Sequence, residues 1–328
     1  MLINRTGNAP LFLYESKGER IRDKNILEYI KSLSIPPMYS NVVIHVSISA
    51  EGPKEPAKLT YTGVDDKGRT QYGYSKAWKD KSKKQKYKSL IPFGIALPKI
   101  RKSINATLSS KIGNGYPSLE LCIALIIRII MSCNFRLGNT KYKHMYKSHG
   151  ITNIEVRHVK FKTNTANISF IGKKGVHNEC TIDDPQIITH LKKLVAGKNK
   201  SDHVFIYNSS DDCTAEIIAN DINEWMKQFS VDISSKMFRT YMTNIMFIEM
   251  MRSMDPPEGL SDKQRKKNIN IVMDNISQSI HNTRTVCKKE YTHPGLIDMY
   301  LEQPRRFKKL FMSAQDPEHA FISFLKSN

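Results

Sequence analysis

RHVKFKTNTANISFIGKKGVHNECTI, residues 157–182, alternates apolar and polar side chains with a period of two and is broken twice, at Asn164 to Asn167 and at Gly172 to Gly175. Such alternation is the mark of short antiparallel strands, and the breaks carry turn residues. On both sides the period changes. Apolar residues recur at helical spacing in 119–133, in 214–229 (Ile217, Ile218, Ile222, Met226, Phe229) and in 234–251 (Met237, Phe238, Tyr241, Ile245, Ile248), with Ser118 and Ser234 placed to cap two of these helices. The stretch therefore predicts a small antiparallel sheet inside a mainly helical domain, with Lys173 in its second turn.

Working outward, residues 1–78 read as a separate β-rich domain. In NVVIHVSIS, Val42, Ile44, Val46 and Ile48 alternate onto one face, as in a half-buried strand. KLTYTGVDDKGRTQYGYS reads as two strands around a turn at Asp65 to Gly68, where Asp and Gly supply the turn chemistry. A short helix, Asn25 to Leu33, ends before Pro36 and Pro37. Residues 79–88, KDKSKKQKYK, hold six lysines in ten positions and read as a basic linker or hinge, or as a phosphate-contacting run. The mainly helical domain is then 89–328. The fold class expected is α+β.

The chain has 328 residues, 40% of them hydrophobic, and a formal net charge of +20. It is long enough to bury a substantial core, and so large a positive charge attracts polyanions, nucleic acid first. Five cysteines, at 122, 133, 180, 213 and 287, form no CxxC pair, which predicts a reducing compartment without a disulfide framework or zinc ribbon. No secretory signal is visible at the N-terminus. The longest apolar run, Leu119 to Cys133, contains Glu120 and Arg128 and falls short of the roughly 18 clean residues of a membrane span. It reads as a buried helix, and no membrane partner is expected.

GKKG at 172–175 lacks the spacing and hydroxyl of a nucleotide-binding loop. Histidines and acidic residues do not cluster as in a two-metal nuclease. No cofactor and no metal are expected. Metal-free cleavage of a phosphodiester needs a nucleophile, neutralisation of the transition-state charge and a proton for the leaving oxygen. A tyrosine, two arginines and a lysine meet that list. The sequence offers them in FRLGN (135–139), FIGKKG (170–175), KMFRTY (236–241) and HNTRTVCKKEY (281–291).

Taken together and in order, these strings resemble the type IB DNA topoisomerases, in particular their small poxvirus-like and bacterial-like group, from about Tyr61 to Tyr300. The resemblance implies a clamp around double-stranded DNA, a monomer in action, and relaxation of supercoils through a transient 3′-phosphotyrosyl bond. It implies that Tyr291 is the nucleophile, that Arg136 and Arg239 hold the non-bridging oxygens, and that Lys173 is the general acid, with Lys174 its neighbour in the same turn. Tyr142 and Lys236 fall where the family contacts the DNA backbone, and Gln71 and Tyr72 where a strand faces the major groove. The poxvirus pattern has a histidine nine residues before the tyrosine, but here that position is Asn282. Asn282 fits the bacterial-like version, with His281 as a neighbour of the site. Two alternatives stay open: a tyrosine recombinase, which shares the chemistry, and a non-catalytic basic DNA-binding protein. Lys236 stands where recombinases usually carry a histidine, and the β-rich N-terminal domain departs from their helical one. A place at DNA in a viral factory or virion, a nucleus or a nucleoid suits the lysine runs equally.

Overall fold

A computed structural model describes residues 1–49, 51–110, 116–138, 148–210 and 213–327. By their internal contacts the residues divide into two compact units, Met1–Lys86 and Tyr87–Asn328. Both helices and antiparallel sheets are present, so the chain is mixed α and β, with its first unit rich in strands.

The first unit is built on a six-stranded sheet of order β3-β2-β1-β4-β7-β8, where β1 is Leu2–Asn8, β2 Leu11–Ser16, β3 Glu19–Arg20, β4 Ser40–His45, β7 Leu59–Val64 and β8 Thr70–Tyr74. All the pairings are antiparallel. Val42, Ile44 and Val46 are buried with Ile3 and Ile30, as the alternation predicts. Ile48 departs from it and is 57% exposed, because the chain leaves the sheet after His45 and Ser47–Ser49 (β5) pairs instead with Gly52–Lys54 (β6). Helix α1, Lys24–Ser32, is capped by the Asp23 carboxylate, which accepts from the Ile26 amide at 3.0 Å. β7 and β8 are joined by a turn whose Gly68 has φ +71°, a conformation that costs glycine little.

Residues 76–88 form a helix, α2 (Lys76–Lys88), so the lysine-rich stretch read as a linker is regular structure. Its lysines, with long unbranched stems, are good helix formers.

The core of the second unit forms around helix α4, Leu119–Cys133, in which ten of fifteen residues are buried. Ser118 caps it by accepting from the Leu121 amide at 3.2 Å. Arg128 turns outward to Asp184 at 2.9 Å, which explains a charge within so apolar a run. Helix α3, Leu90–Ser109, and the helix Lys236–Arg252 pack against α4. Among the described residues no helix is long and apolar enough to cross a membrane. The small sheet is present, with β9 (Val159–Phe161), β10 (Ala166–Ile171) and β11 (His177–Ile182) in the order β11-β10-β9. The segment 214–229 is only partly helical: Cys213–Glu216 pairs with Ile206–Ser210 as a strand, and the helix is confined to Ala219–Lys227. Ser235 precedes the Lys236–Arg252 helix without a capping side-chain hydrogen bond, its hydroxyl donating instead to Asn223 Oδ1 at 2.8 Å.

One expectation is overturned. Cys133 and Cys180 form a disulfide across 47 residues, with Cα atoms 5.6 Å apart. The last turn of α4 packs on β11, which brings together two cysteines that no local spacing relates. Cys122, Cys213 and Cys287 are free.

Candidate active site

Tyr291 ends a wide helical turn, Cys287–Tyr291, closed by the Thr292 amide donating to the Cys287 carbonyl five residues back at 3.1 Å. Its ring is half-buried. The peptide groups around it are held by one side chain, Asn244, which is fully buried on the Lys236–Arg252 helix. Asn244 Nδ2 donates to the Tyr291 carbonyl at 2.9 Å and to the Thr240 carbonyl at 2.7 Å, while its Oδ1 accepts from the His293 amide at 2.7 Å. Sequence reading missed Asn244. A helical polar residue five positions after Arg239 is the only trace it leaves, and an exposed helix face gives the same pattern.

Arg136 follows directly on the end of α4. Asn134 turns the helix off in the left-handed conformation, φ +53°, and Phe135 is buried. The segment is fixed from below: the Ile151 amide donates to the Arg136 carbonyl at 2.9 Å and the Gly138 amide to Thr152 Oγ1 at 3.0 Å. A Cβ on Gly150 would stand 2.4 Å from the Gly138 nitrogen, so glycine is required for this close approach. From that platform Arg136 donates to the Tyr291 hydroxyl at 3.3 Å.

Arg239 comes from the second turn of the Lys236–Arg252 helix and is 5% exposed. Its guanidinium lies 5.1 Å from the centre of the Tyr291 ring and donates to the Asn134 carbonyl. Its Nε–H is buried without an acceptor among the described residues. Burial first, and the Arg136 charge second, lower its pKa to about 10. For Tyr291, burial pushes the phenol up, but the charges of Arg239 and Arg136 outweigh it and hold the pKa below the ordinary value. The nucleophile candidate is thus biased toward its phenolate by two cations.

Asn282 belongs to the same cluster. With its amide oxygen turned to the arginines, it accepts from Arg136 at 3.0 Å and from Arg239 at 3.1 Å. Only the oxygen satisfies two guanidinium donors, so the NH₂ faces away from them. His281 is placed differently. Its backbone is left-handed, φ +49°, and its ring stacks on Phe135 at 5.3 Å. Burial, then Arg239, lowers its pKa below the ordinary histidine value.

Lys173 is exposed in the turn between β10 and β11, and no contact among the described residues ties it to Tyr291. Lys174 beside it takes φ +64°. The turn is closed by the Gly172 amide donating to the Val176 carbonyl at 2.8 Å. Lys236 is exposed one turn before Arg239. Tyr142 lies outside the described residues. In the first unit, Gln71 and Tyr72 are neighbours on β8 and so point to opposite faces of it. Tyr72 is 54% exposed and stacks with Tyr74 at 6.4 Å, whereas Gln71 is half-buried and bonded to Asp65 at 2.8 Å.

Tyrosine, two arginines and an amide around one hydroxyl suit attack on a phosphodiester. Comparison with known proteins agrees. Residues 75–317 match the family described as "Eukaryotic DNA topoisomerase I, catalytic core". The chain belongs to the type IB DNA topoisomerase family. Among its relatives, the "DNA topoisomerase 1B" of Acanthamoeba polyphaga mimivirus is 28% identical over 98% of this chain and 93% of that protein. The "DNA topoisomerase 1B" of Vaccinia virus (strain Copenhagen) is 21% identical over 88% of this chain and 89% of that protein. The "DNA topoisomerase 1" of Mycosarcoma maydis is also 21% identical, over 76% of this chain but 26% of that larger protein. The enzyme thus matches viral relatives along nearly their whole length.

Proposed function

We propose a division of labour among the clustered residues for the reaction of this family, the relaxation of supercoiled duplex DNA. The enzyme is a type IB topoisomerase, and DNA is its substrate. Tyr291 Oη, having lost its proton to solvent, attacks the scissile phosphorus and forms a 3′-phosphotyrosyl ester as the bond to the 5′-oxygen breaks. Arg136 and Arg239 bind the non-bridging oxygens, where charge gathers in the transition state. When the phosphate takes up the two guanidiniums, Asn282 turns its NH₂ to the same oxygens as a neutral donor. Lys173 protonates the leaving 5′-oxygen, assisted by Arg136. The free end then rotates, and attack by the 5′-hydroxyl reverses the step. Because the ester conserves the bond energy, the cycle calls for no ATP, and no step of it is assigned to a metal.

The observation that carries this reading is the convergence on the Tyr291 hydroxyl. Arg136 reaches it at 3.3 Å, and the buried Arg239, with an N–H that lacks an acceptor among the described residues, lies against the same ring. Burying a cation is costly unless an anion pairs with it, and a phosphate is such an anion.

The proposal extends to the whole chain. The β-rich first unit and the helical second unit close as a monomeric clamp around the duplex, with residues 79–88 as the hinge. The edge strand β8 enters the major groove with Gln71 on one of its faces and Tyr72 on the other, and Tyr142 and Lys236 contact the backbone near the cleavage site. A net charge of +20 supports this, and affinity should fall steeply with salt as counterions are released.

The test is relaxation of a supercoiled plasmid in EDTA without ATP. The wild type should relax it and leave a protein–DNA adduct that survives denaturation. Tyr291→Phe keeps the ring but has no attacking oxygen, so it should bind DNA and form no adduct. An adduct with Tyr291→Phe would remove Tyr291 from the role.

A further inference from the structure

The turn between β7 and β8 is organised by a single carboxylate. Asp65 is buried, 8% exposed. Its Oδ1 accepts from the Lys67 amide at 3.0 Å and the Arg69 amide at 2.9 Å. Its Oδ2 accepts from Arg69 Nε at 2.8 Å, from Arg69 at a second nitrogen at 2.6 Å, and from Gln71 Nε2 at 2.8 Å. The hydrogen bonds from Arg69 and from the turn amides hold the carboxyl down at about 2, so it is ionised at any working pH. An ionised carboxylate accepts hydrogen bonds and donates none. The orientation of the Gln71 amide is therefore forced: its NH₂ must face Asp65, and its carbonyl oxygen is the end turned away. β8 is the outer strand of the six-stranded sheet, so Gln71 sits at an open edge.

We propose that Asp65 is a positioning residue for base recognition, holding Gln71 so that it offers its carbonyl oxygen to an exocyclic amino group, adenine N6 or cytosine N4, in the major groove. This rests on the reading of β8 as a groove-facing strand. A glutamine free to turn over would present either end, and both guanine and thymine offer it major-groove acceptors. The tie to Asp65 removes that freedom. Specificity is then set two steps from the DNA, by a side chain that touches no base.

The Asp65→Asn variant gives the sharpest consequence. Asparagine retains an oxygen for the Lys67 and Arg69 amides but replaces Oδ2 with NH₂, which accepts from neither the Arg69 guanidinium nor Gln71, so the guanidinium moves off to solvent. Gln71 then turns its oxygen toward residue 65 and presents its own NH₂ outward. The preferred partner on the base should change from a donor to an acceptor.

The experiment is single-turnover cleavage of duplexes varied one position at a time within the bound segment, including purine in place of adenine and 2-pyrimidinone in place of cytosine. These analogues lack only the amino group and tell the two sources apart. At one position the wild type should lose on the order of tenfold in rate when the amino group is removed, the worth of about one base-edge hydrogen bond. Gln71→Ala should be indifferent to that removal, and Asp65→Asn should favour a keto base there. If Gln71→Ala alters preference at no position, the groove-facing reading fails and takes the inference with it. If Gln71→Ala relaxes a preference while Asp65→Asn keeps the wild-type one, or if the preference is for a keto group from the start, the groove reading stands and the positioning role of Asp65 is refuted. Should Asp65→Asn not fold, Asp65→Ser, which keeps an oxygen for the turn amides, decides the question on the amino-deleted duplexes: loss of the tenfold discrimination seen in the wild type supports the role, and its retention refutes it.

Discussion

Replacing Asn244 by alanine removes three hydrogen bonds from a side chain with no solvent exposure, two of which hold the peptide groups on either side of the Tyr291–His293 segment. A buried hydrogen bond contributes about 1 kcal/mol, and a partner deprived of it in the interior costs about 1–3 kcal/mol. With the Tyr291 carbonyl and the His293 amide both affected, the loss of stability should be about 3 kcal/mol. Chemistry should suffer separately, since displacing a reacting group by about 1 Å costs on the order of 10²-fold in rate. Denaturant unfolding measures the first effect. Single-turnover cleavage at saturating enzyme, under conditions where the variant is folded, measures the second. Asn244→Asp sharpens the test. It keeps the size and an acceptor for the His293 amide but offers no donor to the Tyr291 carbonyl, so it should not restore the rate. Wild-type cleavage by either variant would show that Asn244 fills space and does not position the nucleophile.

Three further outcomes are expected. In Arg239→Ala the cation that most lowers the Tyr291 pKa is gone while burial remains, so the phenol should titrate above its wild-type value; ultraviolet difference titration against the matching Tyr291→Phe protein reads this, and an unchanged or lower pKa would contradict the assignment. Lys173→Ala should cleave ordinary DNA about 10²- to 10⁴-fold more slowly, and a 5′-bridging sulfur, which leaves without a proton, should erase most of that defect; an equal defect on both substrates would make Lys173 a phosphate contact only. Cys180→Ser, or reduction of the wild type by a dithiol, should destabilise the second unit by up to about 4 kcal/mol, the loop-closure value for a bridge of this span; no change in the denaturation midpoint would show that the Cys133–Cys180 bond contributes nothing to stability.

The parts of the fold that were legible in the sequence are those where one periodicity runs unbroken. α4 is apolar at most of its positions and capped by Ser118, and its bounds follow from that alone. The three strands β9, β10 and β11 were visible because their turns carry glycine and asparagine. Where the period persists through a change of structure, reading failed. Ile48 continues the alternation of Val42, Ile44 and Val46 but lies in a different hairpin. Ile217 and Ile218 continue a helical spacing across a strand end, before the Ala219–Lys227 helix begins. The lysines of 79–88 announce charge, but their unbranched stems equally suit the helix they form. The Cys133–Cys180 pair lies beyond any local rule, because it is made by the packing of α4 on β11.

At the site, residues that carry charge were found and residues that hold them were not. Arg136, Arg239 and Tyr291 are chemically conspicuous, and the resemblance orders them. Asn244 and Asp65 work through hydrogen bonds to backbone and to neighbouring side chains, and either could stand at a solvent-facing position with the same sequence around it. The contrast between His281 and Asn282 shows how geometry decides what spacing leaves open. The left-handed backbone at His281 turns its ring under Phe135, and the next residue is thereby aimed at the two arginines. A histidine, which titrates near pH 6.5 when free, would add a third positive charge at low pH to a site where Arg136 already depresses Arg239. An amide beside them adds none. Its oxygen bridges the two guanidiniums, so one neutral side chain relieves the repulsion between the two cations beside Tyr291.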